Sequence, residues 1–224
     1  TYVRGRRRAV GRRLASRHQR QREATDAEHQ ADEDALEHQP ATDWARVHLY
    51  FGDERAVPPE HADSNYRMVR EALLDHCVIP PQNVHRMHAE PAQIEQNAVD
   101  YAATLHRQLP QDAQGVPVFD LILLGMGADG HTCSLFPDTP ILQDRARSVA
   151  PVYVERLHSW RLSLTYPVLD AARQLLFLVA GPDKATQMRR ICRGETPPVP
   201  VQGIHPRGTV EWFLDAAAAA ELNA

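Results

Sequence analysis

The chain has 224 residues, of which 43% are hydrophobic and 24% charged, and its formal net charge is −4. This length allows one domain with a substantial core, and the acidic balance gives no general reason to expect nucleic acid as a partner. No apolar run reaches the roughly 20 residues of a membrane-spanning helix, and the three cysteines form no Cys-x-x-Cys pair. We therefore expect a cytoplasmic protein with reduced thiols and without a membrane partner.

Residues 1–41 differ in composition from residues 42–224. Positions 1–22 hold nine arginines and no acid, and positions 23–38 hold seven acids and no arginine or lysine. Large apolar side chains are nearly absent, so burial cannot offset the entropy of ordering this segment. We predict a charged, poorly ordered segment over residues 1–41 and an α/β domain over residues 42–224. A basic arm that binds nucleic acid is the less favoured interpretation of positions 1–22.

The first half of the domain contains one predicted strand and two predicted helices. Residues 47–51 form the strand. Ser64 can cap a helix whose apolar side chains lie on one face, and Pro91 can open a second helix of the same kind. The apolar positions are Tyr66, Val69, Leu73 and Cys77 in the first helix, and Ile94, Ala98, Tyr101, Leu105 and Leu109 in the second.

The second half alternates predicted strands and short helices. The continuous apolar run at residues 119–124 is typical of a buried, central parallel strand. Asp183 is a candidate cap for a short helix through Ile191, and Thr209 for a last helix with Val210, Phe213 and Leu214 facing the core. Further strands are predicted at residues 148–154, 162–165 and 175–180. The alternation predicts an α/β sheet with helices on both faces.

Three polar clusters directly follow predicted strands, where ligands bind in open α/β sheets. The first is the run Gly52, Asp53, Glu54 and Arg55, which can bind a polar substrate or form a salt-bridged loop. The third lies around Lys184, the only lysine in the chain, at a predicted helix start. Helix amides and a lysine favour an anion such as phosphate, although a single lysine is more often a solvated surface residue.

The second cluster, residues 125–131, is the run Gly-Met-Gly-Ala-Asp-Gly-His. It contains a formal G-x-G-x-x-G, but Pro137 and Pro140 follow too soon for the helix that a dinucleotide site requires. The glycines instead favour a backbone that approaches a ligand closely. His131 can both remove and return a proton near neutral pH, and Asp129 can orient the imidazole or order the loop.

Other chemistry is less favoured by the sequence. Cys133 lies two residues after His131, which does not establish a nucleophile and its base, so a packed thiol is the better interpretation. His85 and His88 have a spacing that can ligate metal on a helix, but their proline-flanked context argues against one. We expect no metal site.

The clusters occur in the order seen in the 6-phosphogluconolactonases, which the chain resembles over about residues 42–215. The resemblance rests on residues 43–55, 57–67, 120–137, 161–165 and 175–184. It implies a modified Rossmann-like α/β fold with a mostly parallel sheet, shared with glucosamine-6-phosphate deaminases. The implied reaction is hydrolysis of 6-phospho-D-glucono-1,5-lactone to 6-phosphogluconate in the oxidative pentose phosphate pathway, without cofactor or metal.

The resemblance also implies roles for individual residues. His131 would activate water against the lactone carbonyl and then protonate the departing ring oxygen. Arg55 and the amides of residues 127–130 would stabilise the oxyanion, and Arg161 and Lys184 would hold the phosphate. The implied catalytic residues are His131, Asp129, Arg55 and Asp53, and the implied substrate-binding residues are Glu54, Gly127, Gly130, Arg161 and Lys184.

The sequence departs from the family in one element and leaves two other functions open. The family's N-terminal phosphate loop, of the type Ser-Gly-Gly-Ser/Thr-Thr-Pro, has no counterpart in residues 1–41. One alternative is an amino-sugar-phosphate isomerase or deaminase, although residues 132–137 lack the catalytic acid of that relative. The other is a non-catalytic relative that only binds sugar phosphates. The expected partner is a small sugar phosphate, and the expected oligomeric state is a monomer.

Overall fold

A computed structural model of the chain describes residues 42–222. The predictions made for residues 1–41 lie outside this range. Strands and helices alternate through the described part, as expected for an α/β protein, and none of its helices is long and apolar enough to cross a membrane. The strands are β1 (Leu49–Tyr50), β2 (Asp53–Arg55), β3 (Val84–His85), β4 (Ile122–Leu124), β5 (Val149–Val154), β6 (Ser159–Leu164), β7 (Gln174–Val179) and β8 (Thr209–Leu214). The helices are α1 (Asn65–Ala72), α2 (Ile94–Gln108), α3 (Tyr166–Ala171) and α4 (Ala185–Arg193).

The strands pair in one antiparallel and two parallel groups. β1 pairs with β3, and β4, β7 and β8 form a sheet in that order; all of these pairs are parallel. β2, β6 and β5 form an antiparallel sheet. The sequence did not predict this second kind of sheet. β5 and β6 are antiparallel because the turn Glu155–Leu157 between them is too short to join parallel strands. This turn ends at His158 in the left-handed region (φ 45°).

Both predicted helices of the first half are present, but the first is shorter than predicted: α1 ends at Ala72, and Cys77 lies beyond a separate 3-10 turn. The Ser64 hydroxyl accepts a hydrogen bond from the Arg67 amide at 3.2 Å, which caps α1. A 3-10 turn that starts at Pro91 leads into α2. This helix buries one face against the core, through Ile94, Ala98, Tyr101 and Leu105.

Two predictions near the C-terminus are wrong. Residues 209–214 form β8, not a helix, because their β-branched and aromatic side chains pair along β7, with Trp212 stacked on Phe177 at 4.0 Å between ring centroids. Asp183 does not cap α4. It lies inside the 3-10 turn Pro182–Lys184, and its carboxylate binds the Lys184 ammonium.

Strand β4 is shorter and less buried than the apolar run at residues 119–124 predicts. Ile122 and Leu124 face the core, but Leu123 is 61% exposed and Leu121 is also exposed. Within residues 42–222, β4 pairs only with β7. The core therefore lies on one face of this sheet, where Leu175 and Phe177 of β7 are fully buried.

Candidate active site

The topology brings two of the predicted clusters to one edge of the sheet. Strands β4 and β7 are parallel neighbours, with Leu124 opposite Phe177. The segments that follow them, residues 125–131 and 180–184, therefore leave the sheet at the same carboxyl edge, where α/β proteins bind ligands. His131 and Lys184 are carried by these two segments.

The glycines of residues 125–131 allow close packing around His131. A Cβ atom at position 127 would lie 2.1 Å from Nδ1 of His131, so only glycine lets the imidazole rest against this backbone. Gly130 has a φ of +78° and faces Val199. The Gly127 amide donates to the His131 carbonyl at 2.9 Å, and the Gly130 amide donates to the Gly127 carbonyl at 2.9 Å. Both of these amides therefore have partners inside the loop, and a role of the amides of residues 127–130 at the oxyanion stays a prediction.

His131 and Asp129 form a hydrogen-bonded pair. Oδ1 of Asp129 accepts from Nδ1 of His131 at 2.5 Å, and Oδ2 binds the guanidinium of Arg156. Burial alone would raise the pKa of Asp129, but the hydrogen bonds from His131 and the positive charge of Arg156 hold it below its usual value. An ionised carboxylate can only accept hydrogen bonds, so Nδ1 of His131 carries a proton.

This arrangement leaves Nε2 of His131 as the basic nitrogen. It has no hydrogen-bond partner within residues 42–222, and the side chain is partly exposed. The Phe136 ring stacks on the imidazole at 4.0 Å between centroids. A nitrogen base is therefore held in a fixed plane at the edge of the sheet.

Asp53 connects three elements and does not touch the imidazole. Its Oδ2 accepts from the Ser134 hydroxyl at 2.7 Å, and its Oδ1 accepts from the Asn65 side-chain amide at 3.0 Å. Strand β2, helix α1 and the segment after His131 are joined at this carboxylate. We therefore assign Asp53 to holding that segment rather than to the chemistry.

Glu54 has a structural position. Glu54 is buried, with only 2% of its surface exposed. It accepts hydrogen bonds of 2.7–3.2 Å from the amides of Arg55, Asn65 and Tyr66 and from the Ser64 hydroxyl. The carboxylate thus neutralises the N-terminal amides of α1. A direct contact with substrate, as the sequence suggested, does not fit this burial.

Arg55 and Arg161 lie directly opposite each other on β2 and β6. The Nε atoms of both are buried without a hydrogen-bond partner in residues 42–222, although Arg55 also donates to the Asp63 carbonyl at 2.6 Å. Burial, and next the charge of Arg55, lower the pKa of Arg161 from its usual value. Guanidinium groups stay charged despite such shifts. The pair therefore offers two positive charges and unmatched donors to an anion.

This arginine pair lies beside the segment that carries His131. The Ser134 amide donates to the hydroxyl of Ser163 at 3.1 Å, and Ser163 is two residues from Arg161 on the same face of β6. Two residues along a strand span about 7 Å. Ser134 and Ser163 were not among the predicted site residues, because their roles depend on contacts between distant segments.

Lys184 follows β7 at the same carboxyl edge as His131. Its ammonium group binds the Asp183 carboxylate. Its side chain is 19% exposed and lies at the start of α4. Phe136 and Arg156 are the functional candidates that the sequence missed. Arg156 is 27 positions from Asp129, and only the turn between β5 and β6 reveals their contact.

Cys133 is a partly buried residue that packs against the core, and its φ is +48°. Burial and, second, the charge of Asp53 raise the pKa of this thiol well above its usual value, so it is not an activated nucleophile. Residues 42–222 contain no group of three or more His, Cys, Asp or Glu side chains placed to hold a metal ion.

The sequence profile of the glucosamine-6-phosphate isomerases/6-phosphogluconolactonase family matches residues 24–212. The chain belongs to this family. This match begins at residue 24, ahead of the resemblance predicted from about residue 42. The 6-phosphogluconolactonase of Homo sapiens is 44% identical over 182 residues, which are 80% of this chain and 69% of the human protein. The 6-phosphogluconolactonase of Synechocystis is 42% identical over 187 residues, or 82% and 76% of the two chains.

Solved structures of relatives have the same fold. A protein described as devB superposes with a TM-score of 0.73 at 37% identity, covering 84% of this chain and 80% of its own. The 6-phosphogluconolactonase of Trypanosoma brucei gives a TM-score of 0.67 at 29% identity, with 77% and 73% covered. The predicted family and the Rossmann-like α/β fold class are therefore confirmed.

Proposed function

We propose that this chain hydrolyses 6-phospho-D-glucono-1,5-lactone to 6-phosphogluconate, a step of the oxidative pentose phosphate pathway. The observation that carries the proposal is the His131–Asp129 pair. Its loop leaves the sheet at the same edge as the Lys184 segment, and the chain after His131 contacts β6 two residues from Arg161. The membership of the family and the curated 6-phosphogluconolactonases at 42–44% identity support it.

Hydrolysis follows from a base that can also return its proton. Nε2 of His131 removes a proton from water, and the hydroxide oxygen forms a bond to C1 of the lactone. The bond between C1 and the ring oxygen then breaks, and the imidazolium gives its proton to that oxygen. Asp129 holds Nδ1–H throughout and stabilises the positive imidazolium between the two steps, as the carboxylate does in hydrolase triads.

The positively charged side chains bind two different negative groups of the substrate, the oxyanion and the phosphate. Since the amides of Gly127 and Gly130 donate within their loop, the candidate donors to the oxyanion are Arg55 and the amides of residues 128 and 129. Arg161 and Lys184 bind the phosphate, since guanidinium and ammonium groups make strong charge-assisted bonds to it. Fixing the phosphate fixes the carbonyl beside His131, and positioning of this kind lowers barriers by several kcal/mol. The enzyme acts as a cytoplasmic monomer without metal or cofactor.

The test is turnover of 6-phosphogluconolactone by the purified full chain, followed as acid release after subtraction of spontaneous hydrolysis. We expect His131→Ala to lower kcat at least about 100-fold, the low end of typical general-base contributions. His88→Ala, in an exposed histidine bound to Glu90, is the matched control and should keep full activity. Equal rates for the wild type and His131→Ala would remove His131 from its role.

Two further results would favour the alternatives. Ammonia release from glucosamine-6-phosphate without lactone hydrolysis would indicate a deaminase. Binding of 6-phosphogluconate without any turnover would indicate a non-catalytic relative.

A further inference from the structure

Arg156 connects the turn between β5 and β6 to the catalytic loop. It lies in the 3-10 turn Glu155–Leu157, and its guanidinium binds Oδ2 of Asp129. The same guanidinium lies over the Phe136 ring, 5.0 Å from the centroid. Arg156 therefore contacts both groups that orient the imidazole of His131.

The contacts form a closed set around one ring. Asp129 uses Oδ1 for His131 and Oδ2 for Arg156, so neither carboxylate oxygen is left without a partner. Phe136 packs against the imidazole and against the guanidinium. Removing Arg156 would free one end of the carboxylate and uncover the aromatic ring, while leaving every group of the arginine pair in place.

We infer that Arg156 is a positioning residue for the reaction, which acts through Asp129 and Phe136 to keep Nε2 of His131 aimed at the substrate. This inference rests on the proposed function. Arg156 needs no contact with substrate for the role, since fixing the carboxylate and the ring fixes the base. Misplacement of a reacting group by about 1 Å can cost as much as 100-fold in rate.

The experiment compares Arg156→Ala, Arg156→Lys and the control Arg173→Ala. Arg173 also pairs with one aspartate, Asp120, but lies at the opposite end of β7. In Arg156→Ala we expect kcat to fall about 10-fold with little change in KM. Arg156→Lys should keep most of the wild-type kcat, and Arg173→Ala should match the wild type in both kcat and KM.

A measurement that does not depend on turnover keeps the inference testable. The ring signals of the His131 imidazole can be followed by NMR in the full chain at one fixed pH and assigned from their loss in His131→Ala. Their chemical shifts should change in Arg156→Ala, because the carboxylate and the aromatic ring beside the imidazole lose a contact, and stay in place in Arg173→Ala. Unchanged ring signals together with an unchanged kcat in folded Arg156→Ala would overturn the inference. Changed ring signals in a chain that hydrolyses no lactone would leave the positioning role standing and remove the proposed function.

Discussion

The catalytic loop at residues 125–131 and the arginine pair of Arg55 and Arg161 satisfy their polar groups in opposite ways. In the loop, both oxygens of Asp129 are bound, and the amides of Gly127 and Gly130 donate to neighbouring carbonyls. In the pair, the Nε atoms have no partner among residues 42–222. The polar groups of Asp129 have partners without a substrate, whereas we propose that an anion supplies the partners of the arginine pair.

This difference separates chemistry from binding. A base that must meet one carbonyl carbon gains from being held rigidly before the substrate binds. Buried donors without a partner cost about 1–3 kcal/mol each, and an anion that binds them removes this cost. We therefore expect changes in the loop to affect kcat and a change at Arg161, the proposed phosphate ligand of the pair, to affect KM.

The largest effect is expected for Gly127→Ala. The new Cβ would lie 2.1 Å from Nδ1 of His131, so the imidazole must leave its place. We predict that kcat falls about 100-fold or more, since displacement of a reacting group by about 1 Å has an effect of this size. Gly125→Ala is the control in the same loop, because a Cβ there meets nothing within 4 Å. Similar kcat values for both variants would show that the loop is not rigid.

The second prediction concerns Glu54, whose burial and hydrogen bonds favour a structural role over the implied contact with substrate. Glu54→Gln keeps the shape of the side chain but removes the charge that four donors share at the start of α1. We predict that the free energy of unfolding in urea falls by about 2–3 kcal/mol. In Glu71→Gln, which loses an exposed pair with Arg67, the free energy of unfolding should change little. An equal loss in both variants would contradict the assignment of Glu54.

The contrast between these two acids shows what the sequence could supply. The Ser64 cap and the buried face of α2 follow from local patterns, and they were predicted. The pairing of Asp129 with His131 is also local, since the two residues are two positions apart. Glu54 could not be assigned from sequence, because its partners lie 10 to 12 residues away on a helix whose orientation depends on the fold.

Long-range strand pairing hid the remaining features. Residues 209–214 had a plausible helical pattern, and only their pairing with β7 makes them a strand. The apolar run at residues 119–124 predicted a strand buried on both faces, but Leu123 is exposed. Whether a residue on that face is buried depends on what covers the sheet, and the strand's own sequence does not determine this. Arg156 approaches Asp129 only because β5 and β6 form a hairpin.

The third prediction uses the arginine pair. Arg161→Gln removes one of two neighbouring charges and an unmatched buried donor. We predict that KM for the lactone rises about 10-fold, the effect of losing one charge-assisted bond of about 1.4 kcal/mol, while kcat changes little. The free energy of unfolding should stay level or increase, because the repulsion between the two guanidinium groups is relieved.

A variant that binds substrate more weakly but is no less stable indicates a residue whose role is to bind a ligand. Arg67→Gln is the control, because Arg67 already binds Glu71 and the Glu60 carbonyl. It should leave KM unchanged. A lower stability of Arg161→Gln with an unchanged KM would instead make Arg161 a structural residue.

The smallest effect is expected for the acid stability that Asp129 provides. The pKa of Asp129 is lowered in the folded chain, so the unfolded chain binds more protons at this position in mild acid. The stabilisation is therefore complete above the ordinary aspartate pKa of about 3.9 and is lost as the pH falls through the lower, folded value. Urea unfolding between pH 6 and about 3 should show the stability gap between the wild type and Asp129→Asn closing toward acid. The same gap for Asp120→Asn, which ends the exposed pair with Arg173, should be small throughout. A gap for Asp129→Asn that stays constant with pH would mean that the carboxylate stabilises the loop by its shape, with its charge reserved for the imidazolium.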